Sequence, residues 1–297
     1  MERPGVLDKG RVRAAFDRAA AGFAARAVLH AEVRRRLLER LDFVRLTPNR
    51  VVDLGGGTGD AARALKRRYP KAQVVNLDLA PAMLRRAKAQ SWWRPLPCVA
   101  GDIEALPLAT RCVDLAFSNL ALGWCNDLEL AFGELQRVAA PGGLLMFSLF
   151  GPDTLRELRH SCAAVDPKPR VHAFLDMHDV GDALLRGQWG DPVIDVEHLT
   201  LTYAQVADLL AELRATGGGN ALADRPRGLW HPRSRGRLFD AYEAWRQGGR
   251  LPATFEIVYG HAWAPLHPPQ RRRTDGAAVI AIDALKRPPK GGVKPPR

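Results

Sequence analysis

The residues with the greatest chemical capacity in this 297-residue chain stand at the ends of short apolar runs. Asp53 opens the turn Asp53-Leu54-Gly55-Gly56-Gly57-Thr58-Gly59. Glycines suit such a turn where a ligand must come close to the backbone and a Cβ would block it. The run alone is a weak signal, because structural turns contain it too. Three further groups stand at equivalent places: Asp78 with Leu79, Asp102 with Ile103, and Asn119 with Leu120. A carboxylate at Asp53 can take backbone N–H groups or a ligand ammonium. Asp78 is placed to accept two neighbouring hydroxyls, and Asp102 an exocyclic amino group, with Ile103 against the ring that carries it. Each Asp taken singly is also a good helix N-cap. Convergence of all four loops on one ligand is what favours binding.

The elements that must position these groups follow from periodicity. Strands are predicted at 50–54, 73–77, 97–100, 113–118 and 144–150, alternating with helices at 60–68, 81–89 and 128–138, the order that gives a parallel sheet covered on both faces. Turns at the carboxyl ends of such strands are where ligands bind. Two helices, 9–25 and 28–41, come first, the second with Val33, Leu37, Leu38 and Leu41 on one stripe. Beyond residue 150, helices are expected at 154–164, 178–186, 203–216 and 235–247, and strands at 191–201 and 255–263. The simplest assembly puts the last two strands at one edge of the same sheet, with the helices after 150 capping the ligand end. The expected organisation is thus N-terminal helices over 1–45, a binding core over 46–151, a cap with the closing strands over 152–265, and a tail over 266–297.

The ligand classes narrow further. Counting a G-x-G-x-x-G fingerprint from Gly55 places Asp60 at its sixth position, where a negative charge would oppose a pyrophosphate. The lysine of a P-loop is absent. An ammonium, a pair of ribose hydroxyls, an adenine and a position for methyl transfer beside Asn119 and Leu120 are together the groups of S-adenosylmethionine (SAM).

Bulk properties set outer limits. Hydrophobic residues make up 46% and charged residues 26%, which suits a globular enzyme with a sizeable core. No apolar run approaches a membrane span, and residues 1–9 lack a secretory signal, so a cytoplasmic location is the expectation. Cys98, Cys112, Cys125 and Cys162 show no metal-ligand or C-x-x-C spacing, and buried reduced thiols are expected, with no metal. The net charge of +12 suits an acidic partner. Much of that charge lies in Arg271–Arg273 and a Pro-, Gly- and Lys-rich tail that is expected to be disordered. No aromatic-interleaved basic face is evident, so nucleic acid is a poor fit.

On these motifs, residues 50–150 resemble a class I SAM-dependent methyltransferase. The resemblance implies a seven-stranded, mostly parallel α/β sheet with helices on both faces and an antiparallel hairpin at its end. Five further segments are Phe16-Asp17-Arg18-Ala19-Ala20, Ser118-Asn119-Leu120-Ala121-Leu122-Gly123-Trp124, the stretch from Phe150-Gly151-Pro152-Asp153 to Arg159, Leu199-Thr200-Leu201-Thr202-Tyr203 and His261-Ala262-Trp263. Together they resemble the malonyl-acyl-carrier-protein O-methyltransferase family of biotin synthesis over roughly residues 12–265. That family methylates the free carboxyl of a malonyl thioester on an acidic acyl carrier protein. The cofactor set implied is Arg18, Asp53, Gly55, Gly57, Gly59, Asp78, Leu79, Asp102, Ile103, Asn119 and Leu120.

A carboxylate is already ionised at neutral pH, so its methylation needs alignment and desolvation rather than a strong base. It does need a cation to hold it. Arg156, on the helix after the fifth strand, is the candidate, with Phe23 and Trp124 as further substrate contacts. Phe23 departs from the family pattern, which carries a Tyr there. The chain also resembles a mitochondrial complex I assembly factor, implicated in arginine hydroxylation, in Gly151-Pro152-Asp153-Thr154-Leu155, Gly219-Asn220 and Pro252-Ala253-Thr254-Phe255. That leaves a protein-modifying assembly factor as the alternative.

Overall fold

The computed structural model describes residues 5–90, 95–166, 168–225 and 231–266, so the expected disordered tail lies, but for Leu266, outside the described residues. The chain opens with helices α1 (Lys9–Ala19), α2 (Phe23–Arg26) and α3 (Val28–Arg40). Asp8 caps α1 by accepting the Arg11 N–H at 3.1 Å. The single helix expected over 9–25 is broken at residues 20–22. Ala19 and Ala20 are held against Ala80 and Met83, and Gly22 has the poor helix propensity that lets the chain turn there.

Next come β1 (Arg50–Leu54), α4 (Asp60–Arg68), β2 (Gln73–Asp78), α5 (Pro81–Ala89), β3 (Cys98–Ala100), β4 (Val113–Asn119), α6 (Leu128–Val138) and β5 (Ala139–Phe150). The second half adds α7 (Arg156–Ala163), α8 (Met177–Arg186), β6 (Gly190–Tyr203), α9 (Val206–Ala215), α10 (Pro232–Glu243) and β7 (Leu251–Trp263). All seven strands form one sheet, in the order β3-β2-β1-β4-β5-β7-β6. Strands β1 to β5 pair in parallel, and β7 runs antiparallel to both β5 and β6. The closing pair therefore sits at one edge, and strand order reverses between β1 and β4.

Alternation along the strands divides two cores. Val51, Leu115, Phe117, Leu144 and Met146 face the layer containing α3, α4, α7, α9 and α10. Val52, Leu54, Ala116, Leu145 and Phe147 face the layer containing α6 and α8. This is the period-two pattern of a sheet buried on both sides. Helix α8 lies against α6 and β6, on the flank of the sheet, whereas α9 reaches α1 and α2 at the ligand end.

Several boundaries differ from expectation for identifiable reasons. Helix α7 starts two residues late because Thr154 and Leu155 bond β7 instead: the Leu155 N–H donates to Thr254 O at 2.7 Å and Thr154 Oγ1 to Glu256 O at 3.0 Å. Tyr203 ends β6 opposite Leu251 rather than starting α9. Strand β5 absorbs the Pro141-Gly142-Gly143 turn, where Gly142 adopts φ +72°. All four cysteines are free thiols, but only Cys162 is buried and the other three are half-buried.

Candidate active site

The first turn of the sheet shows why its residues are of these types. Asp53 is fully buried at the end of β1, and its Oδ2 accepts the Ala62 N–H of α4 at 2.8 Å. It thus caps a helix whose own N-cap, Gly59, has no side chain to do so. Its second oxygen, Oδ1, has no hydrogen-bond partner. Burial, reinforced by the nearby Asp78 and Asp60 carboxylates and opposed by the Ala62 N–H, pushes its pKa up to about 7. A Cβ on Gly56 would overlap both the Asn76 amide and the Asp53 carboxylate. Gly55 combines φ +61° with a close approach to Ala121, which excludes any other residue.

Asp78, at the end of β2, accepts the Gly57 N–H at 2.8 Å and the Ala80 N–H at 2.7 Å. Burial pushes its pKa up to about 6 against those two bonds. Each oxygen keeps a further lone pair for a ligand hydroxyl. Asp102, after β3, accepts Lys9 Nζ at 3.0 Å and the Glu104 N–H at 3.1 Å. The capping role and the ligand-facing role therefore coexist in the same carboxylates.

These groups line one cleft at the carboxyl ends of β1, β2, β3 and β4. Asp53, Gly55, Gly57, Asp78, Leu79, Asp102, Ile103, Asn119, Leu120, Phe23 and Trp124 all reach it. Gly59 stands just behind it, starting α4 with φ +78°. Arg18 is exposed and does not line the cleft. Its neighbour Asp17 has a definite role: Oδ1 accepts the Ala82 N–H of α5 at 2.8 Å, replacing the cap that Ala80 cannot supply.

Asn119 does more than end β4. Its Nδ2 donates to the His30 carbonyl at 3.1 Å and its Oδ1 accepts from Ser148 Oγ at 3.1 Å, tying α3 to the sheet. The cleft is closed above by Lys9, Val12, Phe16, His30 and Arg34, none of which the sequence reading singled out. The available signal was spacing for His30 and Arg34 alone, which stand four residues apart on one face of α3.

A second cavity adjoins the first and is mostly apolar, lined by Leu29, Phe150, Leu155, Phe174, Leu210 and Phe255 with Arg170, Arg214 and Asn220. A chain of edge-on rings runs past the meeting of the two: Phe16–Trp124 at 5.2 Å, Trp124–His172 at 5.2 Å, His172–Phe174 at 6.3 Å, Phe174–Phe150 at 5.7 Å, Phe150–His30 at 6.4 Å and His30–Phe23 at 5.2 Å. Such a belt excludes water. Arg156 lines neither cavity. Its side chain is 54% exposed and pairs with Asp153 at 3.5 Å and Glu157 at 3.6 Å. Two arginines line the second cavity instead, Arg214 and Arg170, the latter ion-paired with Asp166.

A methyltransferase-domain family profile matches residues 52–147, the span from β1 to β5. Among solved structures, a methyltransferase from Bacillus halodurans superposes with a TM-score of 0.57 at 16% identity, covering 78% of this chain and 98% of that one, which establishes the fold. Two relatives extend well beyond the domain. The malonyl-[acyl-carrier protein] O-methyltransferase of Halorhodospira halophila is 50% identical, over 95% of this chain and 96% of its own length. That of Gallionella capsiferriformans is 49% identical, over 93% and 96%. Identity at this level includes the N-terminal helices and the closing strands that shape both cavities. This chain therefore belongs to the malonyl-[acyl-carrier protein] O-methyltransferase family.

Proposed function

We propose that the protein transfers the methyl group of SAM to the free carboxylate of a malonyl thioester carried on acyl carrier protein. The observation that carries this is the meeting of two unlike cavities beside one aromatic belt. The first fits SAM on its own chemistry. A buried, unpartnered carboxylate oxygen at Asp53 suits a ligand ammonium, and Asp78 offers acceptors for a diol. The second cavity is mostly apolar with Arg170 and Arg214 in its wall, which suits an acyl arm ending in a carboxylate.

When bound, SAM supplies an electrophilic methyl on a sulfonium centre. The chain's own residues do the rest. Asp53 and Asp78 anchor the cofactor, Ile103 packs its ring, and Asp102 receives its amino group. Phe16, Phe23, Trp124 and Phe150 strip water from the acceptor, which strengthens every charge interaction there. Arg170 attracts the acceptor carboxylate into the second cavity, the part first assigned to Arg156. The carboxylate is already ionised at neutral pH and needs no general base. The relatives carry a methyltransferase name over nearly their full length, and nothing at the site favours the assembly-factor alternative.

Purified protein incubated with SAM and malonyl-carrier protein is expected to yield the methyl ester, read by mass spectrometry of the intact carrier. Acetyl-carrier protein, which lacks the free carboxylate, is expected to stay unmodified. No ester on the malonyl carrier, or equal modification of both, would contradict the proposal.

A further inference from the structure

Among the described residues, His30 and Trp124 are the two that line both cavities. His30 is the more telling of the pair. Its Nδ1 is sequestered from solvent and has no hydrogen-bond partner, an unfavourable state for a buried polar atom. The other imidazole of the belt is already engaged, since His172 Nε2 accepts the Ala221 N–H at 3.0 Å. The His30 ring is held edge-on between Phe23 and Phe150, and Asn119 holds its carbonyl. Its position is therefore fixed before any ligand arrives. Burial, then the charge of Arg34 one turn away, lowers its pKa to about 4. The ring is neutral at pH 7, with one N–H donor and one acceptor nitrogen. Phe23, its stacking neighbour, has no polar atom to offer.

We propose that His30 is a catalytic residue that hydrogen-bonds the acceptor carboxylate where the two cavities meet and aims its free oxygen at the transferable methyl. The proposal rests on the carboxyl-methylation reading above and names the group that orients the nucleophile. In the step itself, the carboxylate oxygen forms a bond to the methyl carbon as the sulfur–methyl bond breaks. The bonding pair returns to sulfur and no proton moves. A neutral donor suits this step better than a second cation at the reacting oxygen, which would draw charge from the nucleophile and repel the sulfonium. Orientation is where the rate is gained, because a misplacement of about 1 Å can cost on the order of 10²-fold.

Two variants of the full chain test the role. His30→Phe keeps an aromatic ring between Phe23 and Phe150 but removes both nitrogens. His30→Gln keeps a hydrogen-bond donor. With malonyl-carrier protein, His30→Phe is expected to lower kcat by roughly 10²-fold. Its affinity for S-adenosylhomocysteine, measured by calorimetry, stays at the wild-type value, and its melting temperature does not fall. His30→Gln is expected to recover most of the lost kcat. Wild-type kcat in His30→Phe, or no recovery in His30→Gln, overturns the role of His30 while leaving carboxyl methylation standing. A parallel loss of cofactor affinity in His30→Phe assigns the ring to cofactor packing and overturns it equally. Failure of the wild-type protein to form the ester removes the underlying reading, and this proposal with it.

Discussion

The Asp53 carboxylate holds two jobs at once, and its titration separates them. Its pKa, raised to about 7, lies above the unfolded carboxylate value. The ligand-free fold therefore prefers the protonated form. The stability linked to this group is full below the unfolded pKa and is lost as pH rises through about 7. A ligand ammonium reverses that preference, so binding below pH 7 should release a proton. Calorimetry at pH 6 in buffers of different ionisation enthalpy is expected to show proton release by the wild type and less by Asp53→Asn, in which Asp78, raised to about 6, is left to titrate. The variant should bind cofactor roughly 10-fold or more weakly, the loss of a charge-assisted bond of about 1.5–3 kcal/mol. Its ligand-free melting temperature should vary less between pH 4 and 7. The four strand-end groups could be located from sequence because each lies within two residues of the end of its strand, and strand ends are fixed by simple periodicity. Arg156 shows the limit. Its helix and position were legible, but the direction of its side chain depends on Asp153 and Glu157, which draw it outward.

Helices α1 to α3 lie outside the sheet yet complete its cleft. They are fastened by a few identifiable bonds. Lys9 reaches Asp102 and Glu104, the Leu7 N–H donates to Asn126 at 2.7 Å, and Asp17 caps α5. Removing that cap with Asp17→Ala should cost about 1 kcal/mol and lower the melting temperature by about 2–4 °C. Lys9→Ala should leave the melting temperature nearly unchanged but loosen α1. Hydrogen exchange across α1 is expected to quicken in the cofactor complex of this variant, and unchanged protection would argue against a fastening role. The ends of α4, α5 and α6 could be read from sequence because a glycine, a proline and an aspartate mark their starts. The break between α1 and α2 could not, because an alanine-rich segment favours helix and Gly22 alone does not show that packing of Ala19 and Ala20 on Ala80 and Met83 ends it there. His30 was missed for a related reason: its significance arises from a cavity that exists only once α3 docks on the sheet.

Across the whole molecule, a net charge of +12 should act on encounter with an acidic carrier more than on the chemical step. Raising salt from 50 to 200 mM is expected to increase KM for malonyl-carrier protein several-fold, on the order expected when surface charges are screened, with little change in kcat. A malonyl-pantetheine substrate, which lacks the carrier, should show almost no salt effect. Equal sensitivity of both would move the electrostatics from the surface to the site. No helix among the described residues is long and apolar enough to cross a membrane. The seven-strand order, with β7 antiparallel between β5 and β6, places β5 between the parallel strands of the cofactor half and the antiparallel closing pair. The central claim is that the two cavities are the two halves of one reaction site. A crystal structure with S-adenosylhomocysteine and a malonyl thioester tests it most directly. The carboxylate is expected between His30 and Trp124, with the thioester arm running through the cavity beside Arg170. A carboxylate bound away from that junction, or an arm in the separate cleft lined by Leu7, Asn126 and Pro152, would contradict it.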